Sequence, residues 1–238
     1  MKTYIWSLPT RLFHWLLVAG MVAAYLLGEE EELLSVHSAV GSAVGILIVF
    51  RIIWGFAGPK YSRFRDFPVG ISSLKSFISD MKGSKNQSPG HNPAASLIML
   101  GIIFFTLLIV VSGTLLLASE GQGFFSSFSI GMSPDSLKEV HEIAVYIVIG
   151  LVIVHLLGNL VDFIFHKETG TLQSIFTGYK NIEGESVKLT SFQKILAAIG
   201  IILALAVIPY TLLNQKIDPK NEGTEQQGKE SESDEDDD

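Results

Sequence analysis

The chain has 238 residues, 48% hydrophobic and only 17% charged, with a mean hydropathy of +0.40. A soluble domain carries roughly 25% charged residues, so an ordinary aqueous globule is excluded, and the lack of any cysteine excludes disulfides, thiolate metal sites, iron–sulfur clusters and covalently attached haem. The net charge of −7 belongs to one end: residues 214–238 hold ten acids and three lysines, while the rest is balanced at 14 basic and 14 acidic side chains, so nucleic acid finds no basic footprint.

Apolar runs of about 20 residues, the length a helix needs to cross roughly 30 Å of hydrocarbon, fall at Leu12–Gly28, His37–Ala57, Ala94–Ala118, Leu137–Phe165 and Phe192–Leu213. No segment alternates apolar and polar residues over about ten positions, as a membrane barrel would require, and backbone groups in lipid are then satisfied only within helices. The first run has the basic start of a signal peptide in Lys2 and Arg11, but it contains His14 and Trp15 and no clear A-x-A site follows, so it is read as a retained helix. The expectation is an all-α membrane protein. Residues 1–185 would form a four-helix unit (12–28, 37–57, 94–118, 137–165), residues 186–215 would carry a fifth helix, and residues 216–238 would be an acidic tail, disordered from Glu222 to Asp238.

Between the second and third runs, Leu74, Phe77, Ile78 and Met81 recur at i, i+3, i+4 and i+7, with Lys75 and Lys82 on the other face. This fits a short helix on the membrane surface, and equally a solvated linker. The N-terminus and the loops 58–93 and 166–191, with Arg51 and Lys194 at adjoining helix ends, share one side and hold 13 of the 17 basic residues. Positive loops stay inside, so the N-terminus is expected in the cytoplasm and the acidic tail in the periplasm of a bacterial inner membrane.

Polar groups in the bilayer mark function. Four of six histidines lie in the runs: His14, His37, His141 and His155. His14 is near the cytoplasmic start of the first helix and His37 at the periplasmic start of the second. His155 follows His141 by fourteen residues, about 21 Å and four turns, so both rings face nearly the same way. The four form two matched pairs, His37 with His141 and His14 with His155, one near each membrane face. Two bis-histidine haems stacked across a membrane require this placement. On the second helix His37, Gly41 and Gly45 leave a strip without side chains where a flat macrocycle could lie, and Gly150 and Gly158 offer something similar on the fourth. Arg51 lies at the depth of the cytoplasmic pair and Arg11 one turn before His14, both suited to carboxylates such as haem propionates. Taken singly, these residues also fit hydrogen-bonded helix linkers, close helix packing and interfacial charges, and a proton- or metal-handling bundle stays open beside the haem reading.

The segment Trp6-Ser7-Leu8-Pro9-Thr10-Arg11-Leu12-Phe13-His14-Trp15 resembles the opening of the prokaryotic di-haem b-type cytochromes, among them the cytochrome b subunits of nickel–iron hydrogenases and bacterial cytochrome b561. His37-xxx-Gly41, Phe50-Arg51-Ile52-Ile53-Trp54-Gly55-Phe56-Ala57-Gly58-Pro59-Lys60, Gly90-His91-Asn92-Pro93, His141-Glu142 with His155, and Thr177-Gly178-Tyr179-Lys180 continue the likeness over about residues 4–180. The resemblance implies a four-helix bundle holding two haem b groups, ligated by His14 and His155 on the cytoplasmic side and by His37 and His141 on the periplasmic side. It also implies electron transfer between a periplasmic redox partner, a hydrogenase-type subunit or a cytochrome c, and membrane quinone. The fifth helix and the tail lie outside it.

For a quinone beside the cytoplasmic haem, the candidates are His91 and Asn92 at the start of the third run, and Asp162, seven residues after His155. They would supply a hydrogen-bond donor and a proton route. Asn92 also suits a helix cap with Pro93 in the first turn, and Asp162 a solvated interfacial position. His166 is expected to have no ligand role. The Phe- and Gly-rich loop from Gly121 to Met132 reads as an interfacial loop, or as a cover over the periplasmic haem or a docking surface. Rival functions are a self-contained quinone oxidoreductase fed by a small donor such as superoxide, a histidine-based cation or proton transporter, and a membrane anchor for a periplasmic redox protein.

Overall fold

A computed structural model describes residues 1–79, 88–126 and 131–214. Among these residues, five helices are long and apolar enough to cross a membrane: α1 (Leu8–Gly28), α2 (Leu34–Ala57), α4 (Pro93–Ser119), α5 (Pro134–Phe165) and α7 (Ser191–Asn214). Short helices α3 (Ile71–Ser79) and α6 (Thr171–Thr177) and strands β1 (Thr3–Tyr4) and β2 (Tyr179–Lys180) all lie on the side that bears the N-terminus.

All five apolar runs are helical, and each helix begins one to four residues earlier than its apolar run. Pro9, Pro93 and Pro134 occupy first-turn positions, where a missing N–H is harmless. Asn92 and Ser133 accept hydrogen bonds from the amides of Ala95 (2.7 Å) and Ser136 (3.2 Å).

Helix α2 is central. It packs against α1 on one flank and α7 on another and touches α4, while α4 and α5 form a second close pair. The core between α1, α2 and α7 is Phe13, Leu47, Phe50, Trp54, Ala197 and Ala204. Lipid is as apolar as these side chains, so close packing rather than burial from water holds such helices together. Gly200 of α7 and Gly20 of α1 serve that purpose: a Cβ on the first would strike the Phe50 ring, and one on the second would lie 2.9 Å from Val44 Cγ2. The outward faces of α1, α5 and α7 remain apolar, including Val22, Leu26, Leu156, Ile164, Ile195 and Ile202, as lipid contact requires.

The N-terminal face is closed by a small cap that the sequence gives no reason to expect. Thr3 pairs with Lys180 and Tyr4 with Tyr179 in an antiparallel ladder, and Gly178 O accepts from the amides of Ile5 (2.8 Å) and Trp6 (3.1 Å). Gly178 has φ 86°, and a Cβ there would lie 2.8 Å from Trp6 O, so glycine is required. Trp6 Nε1 donates to Ser174 Oγ (3.0 Å) and Trp54 Nε1 to Thr10 Oγ1 (3.2 Å). Two-residue strands carry too little alternation to register as a pattern.

Helix α3 includes Leu74, Phe77 and Ile78 with none of its residues buried; Met81 and Lys82 lie outside the described residues. So does the acidic tail from Glu222 to Asp238. In the described part of the loop after α4, Phe124 stacks on Tyr210 of α7 (5.4 Å, 12°).

Replacing Gly200 with leucine should destabilise the chain by about 1–3 kcal/mol and lower the apparent melting temperature in detergent. Ile202→Val, on the lipid-facing side of the same helix, should leave it unchanged. Equal melting of Gly200→Leu and wild type would contradict the α2–α7 contact.

Candidate functional site

Near the face opposite the N-terminus, His37 of α2 and His141 of α5 stand with ring centroids 6.2 Å apart and planes at 68°. Each is tied to a different helix in the same way. His37 Nδ1 bonds Ala24 O of α1 at 2.8 Å, and His141 Nδ1 bonds Ile109 O of α4 at 2.9 Å. A carbonyl only accepts, so Nδ1 carries the proton in both rings and Nε2 keeps its lone pair. Four residues beyond each carbonyl is a glycine. A Cβ on Gly28 would lie 3.1 Å from His37 Nδ1, and one on Gly113 would lie 3.1 Å from His141 Nδ1 and 3.0 Å from its Cε1. The two glycines thus open the helix surface so that an imidazole can reach a carbonyl already engaged in the helix. Ser112 Oγ lies 3.3 Å from His141 Nδ1 and donates to Leu108 O (2.8 Å).

Sequence reasoning picked out the two histidines and missed Gly28 and Gly113, because their role exists only once another helix is docked. Among the expected packing glycines, a Cβ at Gly41, Gly150 or Gly158 would meet nothing within 4 Å, whereas at Gly45 it would lie 2.8 Å from Val110 Cγ1 of α4. Gly45 therefore serves helix contact.

Nearer the N-terminal face stand His14 of α1 and His155 of α5, on helices that do not pack along one another. His14 Nδ1 is buried without a hydrogen-bond partner among the described residues. His155 Nε2 accepts from Asn159 Nδ2 (3.1 Å), which also donates to His155 O (2.9 Å). His155 thus also keeps its lone pair at Nε2. Asn159, one turn on, is a further residue that the sequence reading did not single out.

Arg51 is 4% exposed. Its guanidinium donates to Ser62 O (3.3 Å), lies 3.9 Å from Met99 Sδ, and sits over the rings of Phe64 (5.2 Å) and Phe67 (5.9 Å). Arg11 donates to Phe176 O, while its Nε is buried without a partner among the described residues. His91 lies between the rings of Trp6 (4.7 Å) and Phe67 (5.0 Å), its Nδ1 buried and unpartnered among the described residues. Of the other quinone candidates, Asn92 spends its side-chain oxygen on the α4 cap. Asp162 stands 3.4 Å from His166 Nδ1, one turn on, so His166 has a partner that the sequence reading did not foresee. Lys180, seen in the sequence only as part of a motif, is 4% exposed; burial brings its ammonium down to about 8, and Asp162 works against that shift.

The family model for prokaryotic cytochrome b561 matches residues 5–178. The chain belongs to that family. It is similar to the probable Ni/Fe-hydrogenase 1 B-type cytochrome subunit of Escherichia coli (strain K12), at 21% identity over 213 residues, covering 75% of this chain and 90% of the relative. The probable Ni/Fe-hydrogenase B-type cytochrome subunit of Bradyrhizobium diazoefficiens is 22% identical over 210 residues, covering 74% and 84%. That of Rhizobium leguminosarum bv. viciae is 21% identical over 190 residues, covering 65% and 79%. No solved structure matches.

Family membership makes this chain a multi-pass membrane b-type cytochrome, an electron-transfer protein that uses haem b. The His37–His141 pair has donors of the kind that cofactor takes. A porphyrin supplies four nitrogens and asks the chain for two axial ligands. His37 and His141, with ring centroids 6.2 Å apart, would be the residues to hold a haem iron near the face opposite the N-terminus. Their Nδ1–carbonyl bonds are the outer contacts that fix tautomer and orientation in metal-binding histidines. The buried guanidinium of Arg51 fits an acidic group, since a lone buried cation is disfavoured by several kcal/mol.

At the N-terminal face, burial, then Arg51, Lys180 and His155, hold His91 well below the ordinary histidine range. The unfolded chain takes up this proton near pH 6.5 and the folded chain resists it. Its contribution is therefore complete above pH 6.5 and is lost on acidification, by up to about 1.4 kcal/mol per pH unit. His91→Phe, which keeps a ring between Trp6 and Phe67, should flatten the fall in apparent melting temperature between pH 6.5 and 5. An unchanged acid slope would contradict the buried neutral state of His91.

Proposed function

We propose that this cytochrome carries two haem b groups in series and passes electrons singly across the bacterial inner membrane, between a periplasmic redox partner and membrane quinone. His37 and His141 would ligate the periplasmic haem, and His14 and His155 the cytoplasmic one, with residues 1–185 as the electron-transfer unit and the acidic tail in the periplasm. The observation that carries this reading is the matched support of His37 and His141: each ring is anchored through Nδ1 to a helix carbonyl opened by a glycine.

Each bound haem supplies a one-electron iron couple; the chain supplies ligands, orientation and field. With His37 and His141, and His14 and His155, as its ligands, such a protein would favour electron transfer over oxygen chemistry. Arg51 and Arg11 would hold propionates, with Gly41 as the open strip beside the periplasmic haem and Gly45 setting the approach of α4. The N-terminal face, where all the described basic residues but Lys138 gather, would be cytoplasmic by the positive-inside rule. There His91 and Asp162 are the proposed contacts of a quinone headgroup, with Asn92 fixing the start of α4 beside them. The partner would be a hydrogenase-type subunit, as the names of the relatives suggest, or a cytochrome c drawn by the acidic tail.

His141→Ala should remove one low-spin b component from the reduced spectrum and His155→Ala the other, each variant keeping about half the haem of the wild type. Loss of both components in either single variant, with the chain still folded, would overturn the pairing.

A further inference from the structure

Lys180 and Arg51 approach one small aromatic cluster from opposite sides. Lys180 Nζ donates to Gly90 O (3.1 Å) and lies 5.6 Å from the Trp6 ring centre; Trp6 packs on His91, His91 on Phe67, and Phe67 lies under the Arg51 guanidinium. Both cations are 4% exposed. The ion pairs among the described residues are Lys60–Glu185, Arg63–Asp66, Arg65–Asp66 and Asp162–His166, and neither buried cation takes part in them. An ammonium has three donors, and the hydrogen bond to Gly90 uses one. Buried charges are paired, and this cluster, within electrostatic reach of His155 through His91, holds two positive charges in excess; the carboxylate of Asp162 acts on Lys180 only from a distance and pairs with His166 at 3.4 Å. A neutral quinone would not balance that excess; a carboxylate would.

We propose that Lys180 binds one propionate carboxylate of the haem assigned to His14 and His155, with Arg51 facing the other propionate from the far side of the cluster, and that Lys180 thereby raises the potential of that haem. This rests on the two-haem reading above. Lys180 reaches its place because β2 pairs with β1, with Thr3 opposite Lys180, so the N-terminal strand is a positioning element for the cofactor. A nearby positive charge favours the reduced, less positive haem, so losing it disfavours reduction.

The test is a redox titration of the purified full-length haem-loaded protein, following each spectral component. Lys180→Met should lower the reduced-to-oxidised ratio of the His14–His155 haem at fixed potential about tenfold, equivalent to about 59 mV for one electron. The His37–His141 haem should not move, and Lys180→Arg should stay within about twofold of wild type. Should Lys180→Met fail to fold, Lys180→Gln, which keeps a donor for Gly90, gives the same readout. The shift should persist after quinone is extracted; its disappearance would assign the anion to quinone and overturn the proposal. An unchanged potential in a folded, fully loaded Lys180→Gln variant would also overturn it while leaving the two-haem reading intact. A wild-type protein without two haems would instead bring down that reading and this inference together.

Discussion

A hydrogen bond from an imidazole to a carbonyl of another helix is the constraint on which the rest of this molecule depends. In hydrocarbon an unpaired ring N–H is disfavoured by roughly 1–3 kcal/mol, and nearly every backbone carbonyl is already used within its own helix. A helical carbonyl still has a second lone pair, but side chains one turn on shield it. Placing glycine there, at Gly28 for Ala24 and at Gly113 for Ile109, removes the shield. The bond ties α2 to α1 and α5 to α4. It also fixes which ring nitrogen keeps its lone pair, so one contact sets helix position and ligand chemistry together.

The rest of the fold keeps those two ties in register. Helix α2 links the halves, buried against α1 and α7 by small residues and the Phe13–Phe50–Trp54 cluster. The N-terminal cap does the same at the other face, where β1, β2 and the Trp6–Ser174 hydrogen bond bind the start of α1 to the segment after α5. Buried cations collect under this cap, and they make it electrically unlike the opposite face, where the His37 and His141 rings bond to backbone carbonyls of α1 and α4.

Much of this was legible in the sequence because the bilayer imposes it. Five apolar runs became five helices, since lipid admits no other open-chain solution. The fourteen-residue spacing of His141 and His155 placed them on one face because helical rise and turn are fixed. What escaped depends on partners distant in the chain. Gly28 and Gly113 look like any glycine in an apolar helix until an imidazole is docked against them. Lys180 lies in a polar loop where exposure is the ordinary expectation, and only the ladder with Thr3 carries it inside. Gly45 shares its spacing with Gly41, yet α4 lies against one and not the other, a difference that helical periodicity cannot encode.

The central claim is that this single chain holds two haems between two pairs of histidines. The most direct measurement is haem content per chain, with oxidised and dithionite-reduced absorbance spectra, on the purified, monodisperse full-length protein. Two low-spin b haems per chain are predicted. A folded preparation that is colourless, or that saturates at one haem, would contradict the account.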